Sequence, residues 1–250
     1  VFYGIGALGT PVVLGALKGF SSFENIFSVL GAFIFIPILY FLFIRFPKSV
    51  KSESFPIKEG LKMVTDPMLL LFGFILFFQS GIEGLTNNWT TTFLQSVKGI
   101  EASSALFILS SFVAALTLTR IILGKILRKY NPLNVMAGSF IIGIIGCLGI
   151  LFGQSNQALV VSMLAIGLSL AAGFPVILGY IGLLYIQLSG TAFSIAITIA
   201  LIGNVLANYF MGRFSQHYGV QILPYFMITS MLSVLLLLYI TNKKYYTKIN

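Results

Sequence analysis

The sequence predicts an all-α membrane protein, a polytopic bundle of long apolar helices, and three observations support that prediction. First, 58% of the 250 residues are hydrophobic, only 8% are charged, and the mean hydropathy is +1.00. Soluble domains carry about 25% charged residues, so this chain has too little polar surface for a water-facing globule. Second, long apolar segments recur along the whole chain, and third, the cations fall almost entirely between them. We therefore expect an integral membrane protein with lipid as its solvent.

Eight segments reach or approach the roughly 20 apolar residues that a helix needs to cross a bilayer. They run over residues 1–17, 26–46, 67–94, 102–123, 132–153, 158–180, 190–210 and 222–240. The first segment is short, begins with Val1 and has no charged leader. We therefore expect the chain to be the C-terminal part of a longer membrane protein whose first helices are missing.

The distribution of lysine and arginine predicts the orientation in the membrane. If successive loops lie on opposite faces of the membrane, twelve of these cations fall on one face, whereas Lys18, Lys98 and Arg213 fall on the other. By the positive-inside rule the twelve face the cytoplasm, together with the C-terminus, in a plasma (inner) membrane. The cations form no continuous basic face, so nucleic acid is not an expected partner.

Local sequence predicts two helix starts with a physical reason. Asp66 precedes Pro67, and Asn131 precedes Pro132. Each pair places a side-chain acceptor at the N-cap and a proline at the first helical position, where no amide donor is needed.

Two spans, a charged stretch and six further spans resemble the C-terminal part of a major facilitator transporter. The resemblance implies that residues 1–46 are the last two helices of an N-terminal bundle, residues 47–66 a cytoplasmic linker, and residues 67–250 a six-helix C-terminal bundle. Three short motifs are similar to the sugar-transporting branch that includes the fucose permeases: Gly81-Ile82-Glu83 followed by Trp89, Gly173-Phe174-Pro175, and Gly190-Thr191-Ala192-Phe193. That branch couples sugar entry to protons, which implies uptake of a polar solute by alternating access.

One family motif is only partly matched. In residues 119–129, which overlap the end of the fourth marked segment, Arg120 and Gly124 fit the family's cytoplasmic loop motif, whereas Arg128 stands where the motif has an acidic residue. The stretch therefore has a second interpretation, as a positive-inside anchor without a gating role.

Glu83 is the leading candidate for function because it is the only acidic residue inside a long apolar segment. At 100° per residue it shares an arc of about 100° with four polar neighbours, Gln79, Thr86, Asn87 and Thr90. An ionisable group at membrane depth costs about 2.5 to 3.5 kcal/mol, so it normally lines a cavity. Glu83 would bind a proton or a sugar hydroxyl; the alternative is a buried carboxyl that fixes packing.

Other polar residues are candidates for solute binding or gating, each with a structural alternative. The amides of Gln79, Asn87, Asn88, Asn204 and Asn208 could bind a polyol, or they could hold neighbouring helices together. Trp89 could stack on a sugar or lie in the interfacial aromatic belt. Gly173 and Pro175 loosen one helix, which suggests either a gate or a fixed bend.

Enzymes and pumps fit the sequence poorly. His217 and Cys147 are each the only residue of their type, no two carboxylates share a segment core, and no phosphate-binding glycine loop is present. We expect no catalysis, no metal and no cofactor. Three function classes stay open: a secondary transporter using protons, a drug or metabolite efflux carrier, and a non-transporting receptor or scaffold.

Overall fold

The computed structural model describes residue 6, residues 23–44, residue 60 and residues 62–249. The chain divides into two compact units, residues 2–57 and residues 58–250. The predicted segment at 1–17 and most of the stretch at 47–66 lie outside the described residues. In the first unit, helix α1 (Phe23–Phe43) is apolar and contains Pro37.

The second unit contains seven α-helices and two short 3₁₀ helices among its described residues. They are α2 (Pro67–Ser96), α3 (Ala102–Leu127), α4 (Pro132–Phe152), α5 (Asn156–Leu170), α6 (Gly173–Leu184), a 3₁₀ turn at Ile186–Leu188, α7 (Ser189–Tyr218), a 3₁₀ turn at Val220–Ile222, and α8 (Leu223–Ile249). With α5 and α6 taken as one crossing, six described spans are long and apolar enough to cross a membrane. The predicted all-α membrane bundle is confirmed.

Both predicted helix starts are confirmed. The Asp66 carboxylate accepts hydrogen bonds from the backbone N–H groups of Met68 and Leu69, at 2.8 and 2.9 Å. The Asn131 side chain caps α4 in the same manner. These caps satisfy amides that the first helical turn would otherwise leave without partners.

Successive spans run in alternating directions, so the unit has two ends. At the Asp66 end, α2, α4 and α7 begin while α3, α6 and α8 finish; the opposite end is called the Lys98 end. Helix α2 packs most extensively against α7 and also contacts α8, whereas α5 packs against α3 and α4. Helix α2 therefore lies at the centre of the described packing.

Glycines allow the closest of these helix approaches. Gly203 of α7 lies against the Phe77 carbonyl of α2, so that an added Cβ would collide with backbone. Gly81 faces Ala207, and Gly146 of α4 faces the Ser162 carbonyl of α5 in the same way. Lipid gives apolar side chains little reason to associate, so such close contacts supply much of the attraction between membrane helices.

The sixth predicted segment is interrupted. The sequence predicts one span over residues 158–180, whereas the structure has α5 ending at Leu170 and α6 starting at Gly173. Pro175 has no amide hydrogen to donate to the preceding turn, which explains a break at this position.

Candidate functional site

The polar face of α2 contains both buried and exposed side chains. Gln79, Thr86 and Thr90 are buried, Glu83 is half-buried, and Asn87 is exposed. The Thr86 hydroxyl donates to the Ile82 carbonyl and the Asn87 amide donates to the Glu83 carbonyl, at 2.8 and 2.9 Å. The Glu83 carboxylate and the Asn87 side chain are therefore the more accessible of these groups.

Among the described residues, Arg120 of α3 is the charged side chain close enough to Glu83 to act on it electrostatically. Glu83 lies about 24 Å of helix rise beyond Pro67, and Arg120 about 10 Å before Leu127. Side chains lean toward the N-terminus of their helix, and α2 and α3 run in opposite directions, so the two long side chains lean toward each other. Glu83 and Arg120 form no ion pair within hydrogen-bonding range in the described part of the chain, and the buried Nε of Arg120 lacks an acceptor there.

The structure corrects where the loop motif lies. Arg120 and Gly124 are inside α3, which continues to Leu127, and only Arg128 is at its C-cap. The apolar residues around them favour helix, and a single glycine does not stop it. Gly124 faces open space, whereas Arg120 is half-buried and close enough to influence Glu83.

Gln79 supports the break between α5 and α6. It has no exposed surface, and its Nε2 donates to the Leu170 carbonyl at 3.0 Å. The Ser139 hydroxyl of α4 shares its hydrogen between the Met136 carbonyl of its own helix, at 2.7 Å, and the adjacent Ser169 carbonyl, at 3.1 Å. The Gln79 amide also fills the place that a Cβ on Gly173 would occupy. Two neighbouring helices thus satisfy carbonyls at the break, and we call this region, Ser169 to Gly173 with its two donors, the braced break.

The asparagines of α7 hold that helix against α2. The Asn208 side-chain oxygen accepts from the Asn88 amide and from the Trp89 indole, each at 3.0 Å. The Asn208 amide donates to the Asn204 side-chain oxygen at 3.0 Å, and the Asn204 amide donates to the Ser80 carbonyl at 3.0 Å. We call this connected set the asparagine ladder.

Gly84 makes room for the ladder, since an added Cβ there would lie 2.6 Å from the Asn204 side-chain oxygen. The ladder uses most of the hydrogen-bonding groups of Asn204 and Asn208. Their structural interpretation therefore has direct support, while exposed Asn88 stays accessible to a solute.

The far end of α6 is also tied to α2. The Tyr185 hydroxyl donates to the Asp66 carboxylate at 2.6 Å, next to the start of α2. Tyr185 lies between two membrane spans. Burial first, and then the hydrogen bond to Asp66 and its charge, raise the pKa of Tyr185. The hydroxyl therefore stays protonated and able to donate at physiological pH. The N-cap residue of α2 thus holds the end of α6, whereas Gln79 of α2 holds the end of α5.

Comparison with known families decides the classification. The sequence profile of the Major Facilitator Superfamily matches residues 1–185 of the 250. The chain belongs to the Major Facilitator Superfamily. No curated protein matches it.

Solved structures show the same fold. The chain is similar to FucP, a Major Facilitator Superfamily transporter in the outward conformation, with a TM-score of 0.68 and 14% identity over 87% of this chain and 54% of that one. It is also similar to a variant of the peptide transporter POT in complex with alafosfalin, with a TM-score of 0.62 and 19% identity over 70% of this chain and 38% of that one. The chain thus spans about half or less of these superfamily members.

Three features of this superfamily member were missed by sequence reasoning. They are the influence of Arg120 on Glu83, the Ser139 bond to the braced break, and the link between Tyr185 and Asp66. Helical periodicity could have placed Arg120 on a buried face of α3. The other two join residues far apart in sequence, and local pattern carries no signal for them.

Proposed function

We propose that this chain is part of a secondary transporter that takes up a small polar solute, with a sugar as the first candidate, by proton-coupled alternating access. The observation that carries the proposal is the half-buried carboxylate of Glu83 inside a membrane span, under the influence of Arg120. Membership of the superfamily supports transport, because its substrate sites lie near the bilayer midplane between two bundles.

In this proposal Glu83 binds the coupling proton or a solute hydroxyl, and Asn87 and Asn88 offer amide groups to the solute. Both asparagines are exposed and both lie within two turns of Glu83. Amides can donate and accept together, which suits a polyol. The other candidate amides support the site without binding the solute. Gln79 holds α2 against α5, and Asn204 and Asn208 hold α7 against α2.

A second solute class is supported by the charges. An acid and a base on facing helices match the two charged ends of a small zwitterion such as a dipeptide, and the similar structure of POT is that of a peptide transporter. Sugar and dipeptide are distinguished by experiment, since both would use Glu83 but only the zwitterion needs the positive charge of Arg120.

The braced break is the proposed gate. Gly173 and Pro175 allow α6 to swing relative to α5. The link between Tyr185 and Asp66 holds the end of α6 in the described position, and the bond from Gln79 holds the end of α5. The twelve-cation side, which includes the Asp66 end and the C-terminus, is proposed to face the cytoplasm of the plasma (inner) membrane.

The test measures counterflow and net uptake of labelled sugars and dipeptides in vesicles that contain the whole protein, at two pH values. Glu83→Gln should abolish the pH dependence of net uptake, with a fall of about tenfold at the favourable pH, within the usual range of coupling between two sites. Glu101→Gln is the matched control, because Glu101 is exposed outside the spans. Binding without flux would support a receptor, and outward movement of apolar cations would support an efflux carrier; either result would contradict the proposal.

A further inference from the structure

A long aromatic groove opens between α7 and α8, with α2 at its floor, away from the proposed solute site. One cavity of about 610 Å³ is lined by residues that include Phe78, Phe214, Tyr218 and Tyr225. A second cavity of about 450 Å³ continues it at the Lys98 end, and the two share Tyr218, Ile222 and Tyr225. The shared lining makes them one groove, which we call the α7–α8 groove.

The apolar part of the groove is long and lined with rings. Phe78 lies at the level of Gly203, because the preceding carbonyl contacts that glycine. From Gly203 to Tyr218 α7 rises about 22 Å, somewhat more than the roughly 15 Å of hydrocarbon in one leaflet. Phe214 lies 5.7 Å from Phe226 and 6.5 Å from Tyr218, between ring centroids. The surface fits a single extended acyl chain.

The other part of the groove combines an apolar lining with one positive charge. Its lining includes Lys98 and Gln221 beside Phe93, Val97 and Leu151. The Lys98 ammonium donates to the Leu151 and Gly153 carbonyls, each at 2.9 Å, and this fixes it at the end of α4. An ammonium has three donors, so one stays available. No carboxylate among the described residues forms an ion pair with Lys98, so its charge can attract an anion.

A cation at the membrane boundary and an apolar slot extending from it into the hydrocarbon region match one chemical class, a phospholipid. We propose that the α7–α8 groove binds a membrane phospholipid, with the headgroup phosphate at Lys98 and one acyl chain along the rings of Phe214 and Phe226. A phosphate oxygen accepts the remaining Lys98 donor in a charge-assisted hydrogen bond. Neither Glu83 nor the proposed solute takes part, so this proposal stands independently of the transport mechanism.

The experiment is native mass spectrometry of the whole protein, purified in detergent and titrated with phosphatidylglycerol. Lys98→Gln should weaken binding about tenfold, at the low end of what a hydrogen bond to a charged group contributes. Arg213→Gln is the control, because Arg213 is an exposed cation near the same end that does not line the groove. It should leave binding unchanged.

A second pair of variants tests the acyl slot. Thr229 is an exposed lining residue of α8, so Thr229→Trp fills the slot from its open side and should abolish the bound lipid. Leu236→Trp adds a side chain of the same size to α8 outside the groove, so it should leave lipid binding unchanged. If Thr229→Trp does not fold, the comparison of lipid binding by Lys98→Gln and Arg213→Gln still tests the proposal. Equal lipid binding by Lys98→Gln and wild type, or wild-type protein that carries no lipid, would overturn the proposal.

Discussion

The asparagine ladder and the braced break both place polar groups inside the membrane, and they do so with opposite consequences. The ladder joins α2 to α7 through side-chain bonds from Trp89 to Asn208 to Asn204, above the tight glycine contacts of Gly81 and Gly203. At the braced break, Pro175 cannot donate a backbone hydrogen bond to the preceding turn. The Leu170 and Ser169 carbonyls there each accept from one side chain of another helix, Gln79 and Ser139 respectively.

The comparison indicates that the contact between α2 and α7 is rigid and that the braced break is the weaker region. Contacts between α2 and α7 are continuous and close-packed, so changing one of them disturbs several others. The braced break depends on two isolated bonds, each of about 1 kcal/mol, which a conformational change can break. We therefore expect α2 and α7 to move together, while α6 moves relative to both.

The largest expected effect comes from Gly203→Leu, which forces a side chain into the Phe77 carbonyl and separates α2 from α7. Overpacking of this kind costs about 1–3 kcal/mol, and more where backbone is in the way. Detergent-solubilised protein should lose its monodisperse elution peak and unfold at a lower temperature. Gly138→Leu is the matched control, because Gly138 of α4 has open space around its Cα. Equal stability of the two variants would show that the α2–α7 contact is not tight.

Asn208→Leu should have the next largest effect, because it removes the acceptor shared by Asn88 and Trp89 and leaves both donors without it. Interhelical polar contacts in membranes average about 0.6 kcal/mol and reach about 1.7, and we expect the upper part of that range. Trp89 is the only tryptophan, so its fluorescence reports the change directly. Asn134→Leu, at an exposed position on α4, should leave the emission unchanged. An unaltered fluorescence spectrum in Asn208→Leu would contradict the hydrogen bond from Trp89 to Asn208 in the asparagine ladder.

The braced break is tested by Gly173→Ala, whose methyl group collides with the Gln79 amide. We expect slower transport and a stability loss of about 1–2 kcal/mol. Gly179→Ala on the same helix meets nothing within 4 Å and should behave as wild type. Because Gln79→Ala removes the colliding group, the double variant should be less impaired than the sum of the two single variants. Strict additivity would show that the two positions do not interact.

The smallest effect is expected from Tyr185→Phe, which removes the bond to Asp66 at a partly exposed site. Screening limits the loss to about 1 kcal/mol at neutral pH. The folded-state pKa of Tyr185 is raised, so the bond stabilises the protein fully below the ordinary tyrosine pKa of about 10 and is lost as pH rises through the raised value. Between pH 7 and pH 11, the melting temperature of the wild type should therefore approach that of Tyr185→Phe only at the alkaline end. Tyr130→Phe, at an exposed tyrosine, is the control.

Local chemistry predicted much of this architecture. The Asp66 and Asn131 caps were predictable because cap and proline are neighbours in sequence. Gly173 and Pro175 predicted a loosened helix, but not its division into two. The partners were not predictable. Gln79 was a candidate either for solute binding or for an interhelical contact, because helical periodicity gives only the face of a residue. Only tertiary packing places it against Leu170, 91 residues away. The same limit applies to Asn208, whose bond to Trp89 crosses between two helices.

The central claim is that Glu83 exchanges a proton as the solute binds. Infrared difference spectroscopy of the whole protein in lipid measures this directly, through the carbonyl stretch of a protonated carboxyl group. A band from a protonated carboxyl should change when the transported solute is added, and Glu83→Gln should remove that change while Glu101→Gln leaves it intact. A solute-induced carboxyl band that persists in Glu83→Gln, or solute binding in wild type with no carboxyl signal at any pH, would contradict the account.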